Sequence, residues 1–256
     1  MKITIIQGSP KKDSGNTALL LNELIKGMNE VNADVESVYS NSLSIEKCKG
    51  CFSCMFKTPG HCILNDEMQN IYSRLAESDT WIFASPVYWC GFPSGTRNLI
   101  ERLSPFLKPE FEVYGDKLGH PWRDNINLKR IALLSTCGTP ELFNFDSMIS
   151  ELKGICAKCG KNGVNTVEFS GAMLRPDAQQ IGVMKSSCND ADDIFEALRI
   201  SGKKLAYGEK IPEEILNKIS RPLDKLSPGE KCSNKNTILM NLTLKNKSQP
   251  TTTINE

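Results

Sequence analysis

The sequence predicts an α/β fold, a doubly wound parallel sheet of five strands covered by helices on both faces, followed by a C-terminal arm. Two observations carry that prediction: five short apolar runs bounded by turn residues, and amphipathic helical periods lying between them. Strands that alternate with helices pair in parallel and are buried on both sides, so they read as continuous apolar runs rather than as alternating ones.

The first run is residues 3–6. After it Leu21, Leu24, Ile25 and Met28 step at i, i+3, i+4 and i+7, the stripe of a helix with one buried face. The second run is 35–39. It precedes the same step in Met68, Ile71, Tyr72 and Leu75, and the third run follows at 81–84. Weaker helical patterns cover 99–103, 148–155 and 194–205, with the remaining runs at 131–134 and 164–169. The main domain is expected to occupy residues 1–208.

Two segments break the alternation. Residues 104–128 form a long connection with three prolines that carries Phe106, Phe111, Tyr114, His120 and Trp122. A loop of that length inside a compact domain is usually functional, and a lid or a subunit contact is expected, with a solvated excursion on aromatic anchors as the alternative. Residues 209–256 turn polar, and Pro212, Pro222, Pro228 and Pro250 are expected to interrupt any helix there. This reads as an arm, partly disordered or packed on a partner subunit.

The 256 residues carry 31 basic and 30 acidic side chains. That balance argues against the basic excess or stripe of a nucleic-acid binder. The opening MKITIIQ is too short for a signal peptide, and no stretch reaches membrane-spanning length. A soluble, cytoplasmic protein with no nucleic-acid or membrane partner is expected. Ten cysteines then point to metal and thiol chemistry in a reducing compartment rather than to disulfides.

Four of those cysteines lie within KCKGCFSCMFKTPGHC, in the loop 47–63. Cys48, Cys51 and Cys54 recur at two-residue gaps and Cys62 follows after seven positions, spacing that suits thiolates wrapped around an Fe-S cluster. Zinc more often takes two CxxC pairs, and His61 is the one histidine nearby. Unmetallated thiols and zinc stay open as alternatives. The loop lies between the second strand and the helix leading to the third, in a connection that can approach the carboxyl edge of the sheet.

Strand one runs into GSPKKDSGNT, residues 8–17, with a helix directly after it. It has neither the GxGxxG of a dinucleotide fold nor the GK[ST] of a triphosphate loop. Ser9, Ser14, Asn16 and Thr17 offer hydroxyls and amides to a single terminal phosphate at a helix amino terminus, and Lys11 offers a charge. Ser14 or Asn16 could equally cap the helix.

This loop, SPVYWCG at 85–91 and STCGTPE at 135–141 together resemble the three FMN-contacting loops of flavodoxin-like NAD(P)H-dependent FMN reductases. With the cysteine motif, the first 170 or so residues are most similar to the iron-sulfur flavoproteins of that superfamily. The resemblance implies the strand order 2-1-3-4-5 and an FMN whose phosphate is held by Ser9, Lys11, Ser14, Asn16 and Thr17. It implies that Pro86, Val87, Tyr88 and Trp89 line the isoalloxazine ring, with backbone amides toward its polar edge. Thr136, Cys137 and Gly138 would lie against the other side, and Cys48, Cys51, Cys54 and Cys62 would ligate a 4Fe-4S cluster. Tyr88 and Trp89 read equally well as a subunit contact. Cys90 and Cys137 read as small buried thiols, Cys156 and Cys159 as a structural CxxC on a helix, and Cys188 and Cys232 as cysteines without a partner.

The function implied is an FMN-dependent oxidoreductase in which NAD(P)H or a reduced carrier loads the flavin and the cluster relays single electrons. No catalytic acid or base is evident, and none is required for hydride acceptance. The alternatives are an electron carrier served by a ferredoxin-like partner, a redox sensor, or a cluster-free FMN reductase with free thiols. A homo-oligomer, dimer or tetramer, is implied by the resemblance.

Overall fold

Four of the five strands of the main sheet form where the apolar runs predict them. The computed structural model describes residues 1–158, 160, 167–187 and 191–223. β1 (Lys2–Gln7) pairs in parallel with β2 (Asp34–Tyr39) on one side and with β3 (Thr80–Pro86) on the other. Two short strands, β4 (Glu112–Tyr114) and β5 (Lys117–Gly119), form a separate antiparallel hairpin. β6 (Arg130–Thr136) and β7 (Glu168–Arg175) extend the main sheet, whose order β2-β1-β3-β6-β7 is the expected five-strand order with the hairpin inserted. This is the flavodoxin-like α/β fold.

Successive residues of a strand face opposite sides, so β3 feeds two cores. Ile82 and Ala84 join Ile3, Ile5, Leu134 and the helices α1 (Asn16–Asn29) and α7 (Asp192–Ala206). Trp81 and Phe83 join the other layer, which includes α3 (Gln69–Glu77), α4 (Ser94–Glu101) and α5 (Asp146–Lys158). α2 (Ser53–Phe56) is one turn inside the cysteine loop. α1 and α7 cross closely enough that a side-chain carbon on Gly27 would lie 1.9 Å from the Arg199 carbonyl oxygen, and one on Gly202 2.1 Å from that of Leu24.

The structure departs from the sequence reading in four places. The fifth strand begins at Glu168 and runs through SGAMLR to Arg175. Gly171, at φ +138°, carries the chain past a register shift opposite Ile131 and Ala132, an irregularity within the strand. Residues 164–166 lie outside the described residues.

The second departure is α6 (Ala178–Ser187), which no periodic pattern announced. The third is the arm. α8 (Glu213–Ser220) packs Ile219 into the core together with Ile211 and Leu223, so the domain extends to residue 223. Pro212 stands at the helix start, where proline costs no hydrogen bond, and so opens the helix rather than interrupting it. Arg175, 0% exposed, donates to the carbonyls of Pro176, Ile219 and Arg221 at 2.7, 2.9 and 2.9 Å and ties α8 to the end of β7. Burial, with Arg221 nearby, pulls its guanidinium down to about 10. Residues 224–256, Cys159, Cys188 and Cys232 lie outside the described residues.

Lastly, the connection 104–128 is largely packed. Phe106 and Trp122 are buried against Trp81, with ring centroids 5.8 and 6.0 Å away. Around the β4–β5 hairpin Phe111, Val113 and Leu118 stay exposed. Among the described residues no helix is long and apolar enough to cross a membrane.

Candidate functional site

At the carboxyl end of β1 the chain turns through Gly8. A side-chain carbon there would lie 2.3 Å from Thr96 Oγ1 and 2.7 Å from Ser85 Oγ, so glycine is needed for β1 to pass the start of α4. Gln7 is buried and braces the loop: its Oε1 accepts from Ser9 N–H at 2.7 Å and its Nε2 donates to the Lys12 carbonyl at 2.8 Å. The Asn41 amide donates to the Gly8 carbonyl and accepts from Gly95 N–H at 3.2 Å.

α1 then begins with Gly15 at its cap and no side-chain cap. Ser14 Oγ donates to the Lys11 carbonyl at 2.8 Å, so neither Ser14 nor Asn16 takes the capping role the sequence allowed. Among the described residues nothing accepts from the amides of Asn16, Thr17 and Ala18. Ser9 and Thr17 are buried beside these amides in sequence, while Lys11 and Ser14 are exposed. Free N–H groups at the positive end of a 14-residue helix, with hydroxyls alongside, are suited to accept an anion.

Thr17 Oγ1 lies 2.7 Å from Thr136 Oγ1, which joins this loop to the end of β6. The segment after β3 is hooked to the same place, Val87 N–H donating to the Thr136 carbonyl at 2.8 Å. Tyr88 and Gly91 exchange backbone bonds of 2.9 and 3.0 Å around Trp89 and Cys90, whose φ values are +47° and +61°. Two-residue turns of this kind normally take Asn-Gly, and left-handed backbone costs other residues about 1–2 kcal/mol each. The turn sets Trp89 fully into solvent and leaves Tyr88 half exposed.

Three expectations need correction here. The amides of Val87 and Tyr88 are spent inside the protein and Pro86 has none, which leaves those of Trp89, Cys90 and Gly138 without a partner among the described residues. Cys90 is exposed and Cys137 half-buried, so neither is a buried thiol. Cys137 is instead held at the loop by its N–H to the Arg175 carbonyl at 3.0 Å, with Sγ 3.2 Å from Thr139 Oγ1.

The cysteine loop lies elsewhere. Leaving β2, the chain descends along α4: Asn98 Nδ2 donates to the Ile45 carbonyl at 3.4 Å and Arg102 to that of Glu46 at 2.8 Å. The loop is thus anchored at the far end of α4, about 10 Å along its axis at 1.5 Å per residue from Gly95, and not at the carboxyl edge of the sheet. Arg102 is 1% exposed and grips Asp66 with two bonds of 2.6 and 3.1 Å. Burial pushes the Asp66 carboxyl up, but Arg102 and the Glu46 and Met68 amides outweigh it and hold the group below its ordinary value. Gln69 Nε2 donates to the carbonyls of Cys62 and Leu64 at 3.1 and 2.7 Å.

Cys48 and Cys51 are exposed, Cys62 is half-buried and Cys54 is buried. Burial pushes the Cys54 thiol up, and the charges of Cys62, Cys51 and Cys48 push it further. The amide and hydroxyl of Ser53 pull the Cys51 thiol down. Gly50 and Phe52 at φ +60° and +51° give the chain its sharp bends between these ligands. Among the described residues no three His, Cys, Asp or Glu side chains converge tightly enough to grip one ion. A lone zinc needs sulfurs at about 2.3 Å from a single centre. A cubane takes each thiolate on its own iron, and this donor set, four cysteines with a Ser53 amide donating to sulfur, fits it better.

Cys156 is buried in the core of α5 and has no part in either site. Sequence reasoning missed Gln7, Asn41, Asp66, Arg102 and Arg123. Arg102 did leave a signal, a charge three positions after Leu99 on the apolar face of a helix.

The family model for NADPH-dependent FMN reductases matches residues 1–140. An iron-sulfur flavoprotein of Archaeoglobus fulgidus is 35% identical over 106 residues, 41% of this chain and 47% of that protein. One of Methanocaldococcus jannaschii is 32% identical over 105 residues, 41% of this chain and 53% of that protein. The chain therefore spans about half the length of the curated relatives it matches. Among solved structures, a Klebsiella pneumoniae protein proposed to be a quinone reductase superposes with a TM-score of 0.56 at 18% identity, over 83% of this chain and 87% of that one. At that identity the likeness shows the fold alone.

Proposed function

This chain belongs to the NADPH-dependent FMN reductase family, and from that premise we propose that it is an FMN oxidoreductase whose cysteine loop carries a 4Fe-4S cluster. Its activity would be to move electrons between NAD(P)H or a reduced carrier and an acceptor. When bound, FMN supplies both two-electron and one-electron chemistry and the cluster supplies one-electron transfer.

The observation that carries the reading is the pairing of two features in one domain: an uncapped helix end whose first amides have no acceptor among the described residues, and a loop of four free cysteines bent at Gly50 and Phe52. Ser9, Thr17 and the amides of 16–18 would hold the phosphate. Thr136, bonded to Thr17, aligns the end of β6 with that site. The amides of Trp89, Cys90 and Gly138 are the donors left for the polar edge of the ring. The chain's own residues need move no proton for the flavin to accept hydride.

A second reading is a cluster-free FMN reductase with free thiols, since among the described residues no three His, Cys, Asp or Glu side chains are placed to hold a single ion. The exposed apolar side chains around the β4–β5 hairpin support a homo-oligomer. Stopped-flow mixing of the FMN-loaded protein with NADH and with NADPH tests the enzymatic part. Rapid bleaching of the flavin by either is expected, and bleaching by neither, with reduction by a small iron-sulfur carrier intact, would leave an electron carrier instead.

A further inference from the structure

Residues 47–63 hold Lys47, Lys49, Lys57 and His61 and no acidic residue. Two arginines reach this loop from the protein side, and they differ. Arg102 is neutralised by Asp66. The half-buried Arg123 is not: its Nε donates to the Pro105 carbonyl at 2.9 Å and its guanidinium to the Cys54 carbonyl at 3.3 Å, while the neighbouring Asp124 turns to Lys108 at 3.0 Å. Among the described residues no carboxylate pairs with Arg123.

Its place is fixed from both sides. Arg123 N–H donates to the Phe106 carbonyl at 2.8 Å and Trp122 before it is buried. Gly60, at φ +83°, closes the turn onto Cys54 by a 2.9 Å bond and faces the arginine, where a side-chain carbon would stand 3.5 Å from its Cδ and Nε. A carbonyl could be held by any neutral donor. Arginine brings a full charge as well, in a partly buried position that salt screens poorly.

We propose that Arg123 is a positioning residue that sets the reduction potential at the cysteine loop, its unpaired guanidinium at the Cys54 backbone favouring the reduced state. The proposal rests on the cluster reading. One-electron reduction adds one negative charge to the cluster and its four thiolates, so a fixed cation beside a ligand stabilises the product more than the reactant.

The test is a redox titration of the anaerobically reconstituted full chain, followed by electron paramagnetic resonance, with dithionite as the reductant that is oxidised as the cluster gains its electron. Arg123→Gln keeps a donor for the Cys54 carbonyl and removes the charge. It is expected to shift the reduction equilibrium at least tenfold toward the oxidised form, about 59 mV for one electron, and to keep that shift in high salt. Arg123→Lys is expected to stay within that margin of wild type. A loaded Arg123→Gln protein with the wild-type potential overturns the proposal while leaving the cluster reading intact. Should Arg123→Gln take up no iron, loading of Arg123→Lys at the wild-type potential supports the proposal. Failure of both to load, or a tenfold departure in Arg123→Lys, overturns it, since Arg123 is then a strut. A wild-type chain that takes up no iron overturns the cluster reading and this inference together.

Discussion

Asp66→Ala is the perturbation that most directly probes how the cysteine loop is anchored. Arg102 is 1% exposed and the Asp66 side chain 8%, and they meet in a two-pronged pair of 2.6 and 3.1 Å. Arg102 Nε is already buried without a partner, so removing Asp66 leaves the guanidinium with the Glu46 carbonyl at 2.8 Å as its remaining acceptor. The amides of Glu46 and Met68, which bond to Asp66 at 2.8 and 3.1 Å, lose their acceptor as well. Breaking a buried pair from one side costs about 3–5 kcal/mol, a large share of a total near 5–15 kcal/mol. At roughly 2–4 °C per kcal/mol for a domain of this size, Tm should fall by roughly 6–20 °C. Urea and thermal unfolding followed by circular dichroism give the value. The double change Asp66→Leu with Arg102→Met should recover most of it, because apolar replacements of similar size remove the stranded charge. A loss below about 1 kcal/mol, the worth of an exposed pair, would refute the reasoning.

Other outcomes follow from the same geometry. Gly202→Ala puts a carbon 2.1 Å from the Leu24 carbonyl and should cost about 1–3 kcal/mol by forcing α1 and α7 apart, read as a lower urea midpoint. Cys90→Gly relieves left-handed backbone and should raise stability by about 1 kcal/mol, read as a higher Tm; a lower Tm would mean the turn is not strained. Acid should destabilise the protein. Asp66 and Asp193 both titrate below their ordinary value, Asp66 because Arg102 and two amides outweigh burial, Asp193 through its bond to Arg221. Their contribution is full above about pH 3.9, the unfolded value, and is lost as pH falls from there through each folded value. Chemical unfolding at pH 5 and pH 3 measures it.

The fold was legible where periodicity was strong. Leu21, Leu24, Ile25 and Met28 mark α1, and Trp81 within a four-residue apolar run marks β3, because burial on one or both faces leaves a repeat in the sequence. It was not legible in β7, where Gly171 breaks the run inside the strand, or in α8, whose Ile215, Leu216 and Ile219 are too few to stand out among polar neighbours. The site shows the same division. Ser9, Thr17 and the four cysteines declare themselves by residue type and spacing, whereas Thr136 is reached only through the resemblance of its loop to those of the family. Gln7, Asn41, Asp66, Arg102 and Arg123 do not declare themselves, since each acts across 33 or more positions, or through a carbonyl that any residue could offer. Gln7 is the exception in distance alone: its partners lie within five residues, but nothing distinguishes a polar strand end from a bracing one.

The most direct measurement is the iron, sulfide and FMN content of the anaerobically reconstituted chain and of two variants. Wild type should hold about four irons and four sulfides per chain if all four thiolates serve one cubane, with one FMN. Cys51→Ala should lose the iron and keep the flavin, and Ser9→Ala with Thr17→Ala the reverse, because the two sites stand at opposite ends of α4. Iron and sulfide near zero in wild type that binds FMN would contradict the account and leave a cluster-free reductase.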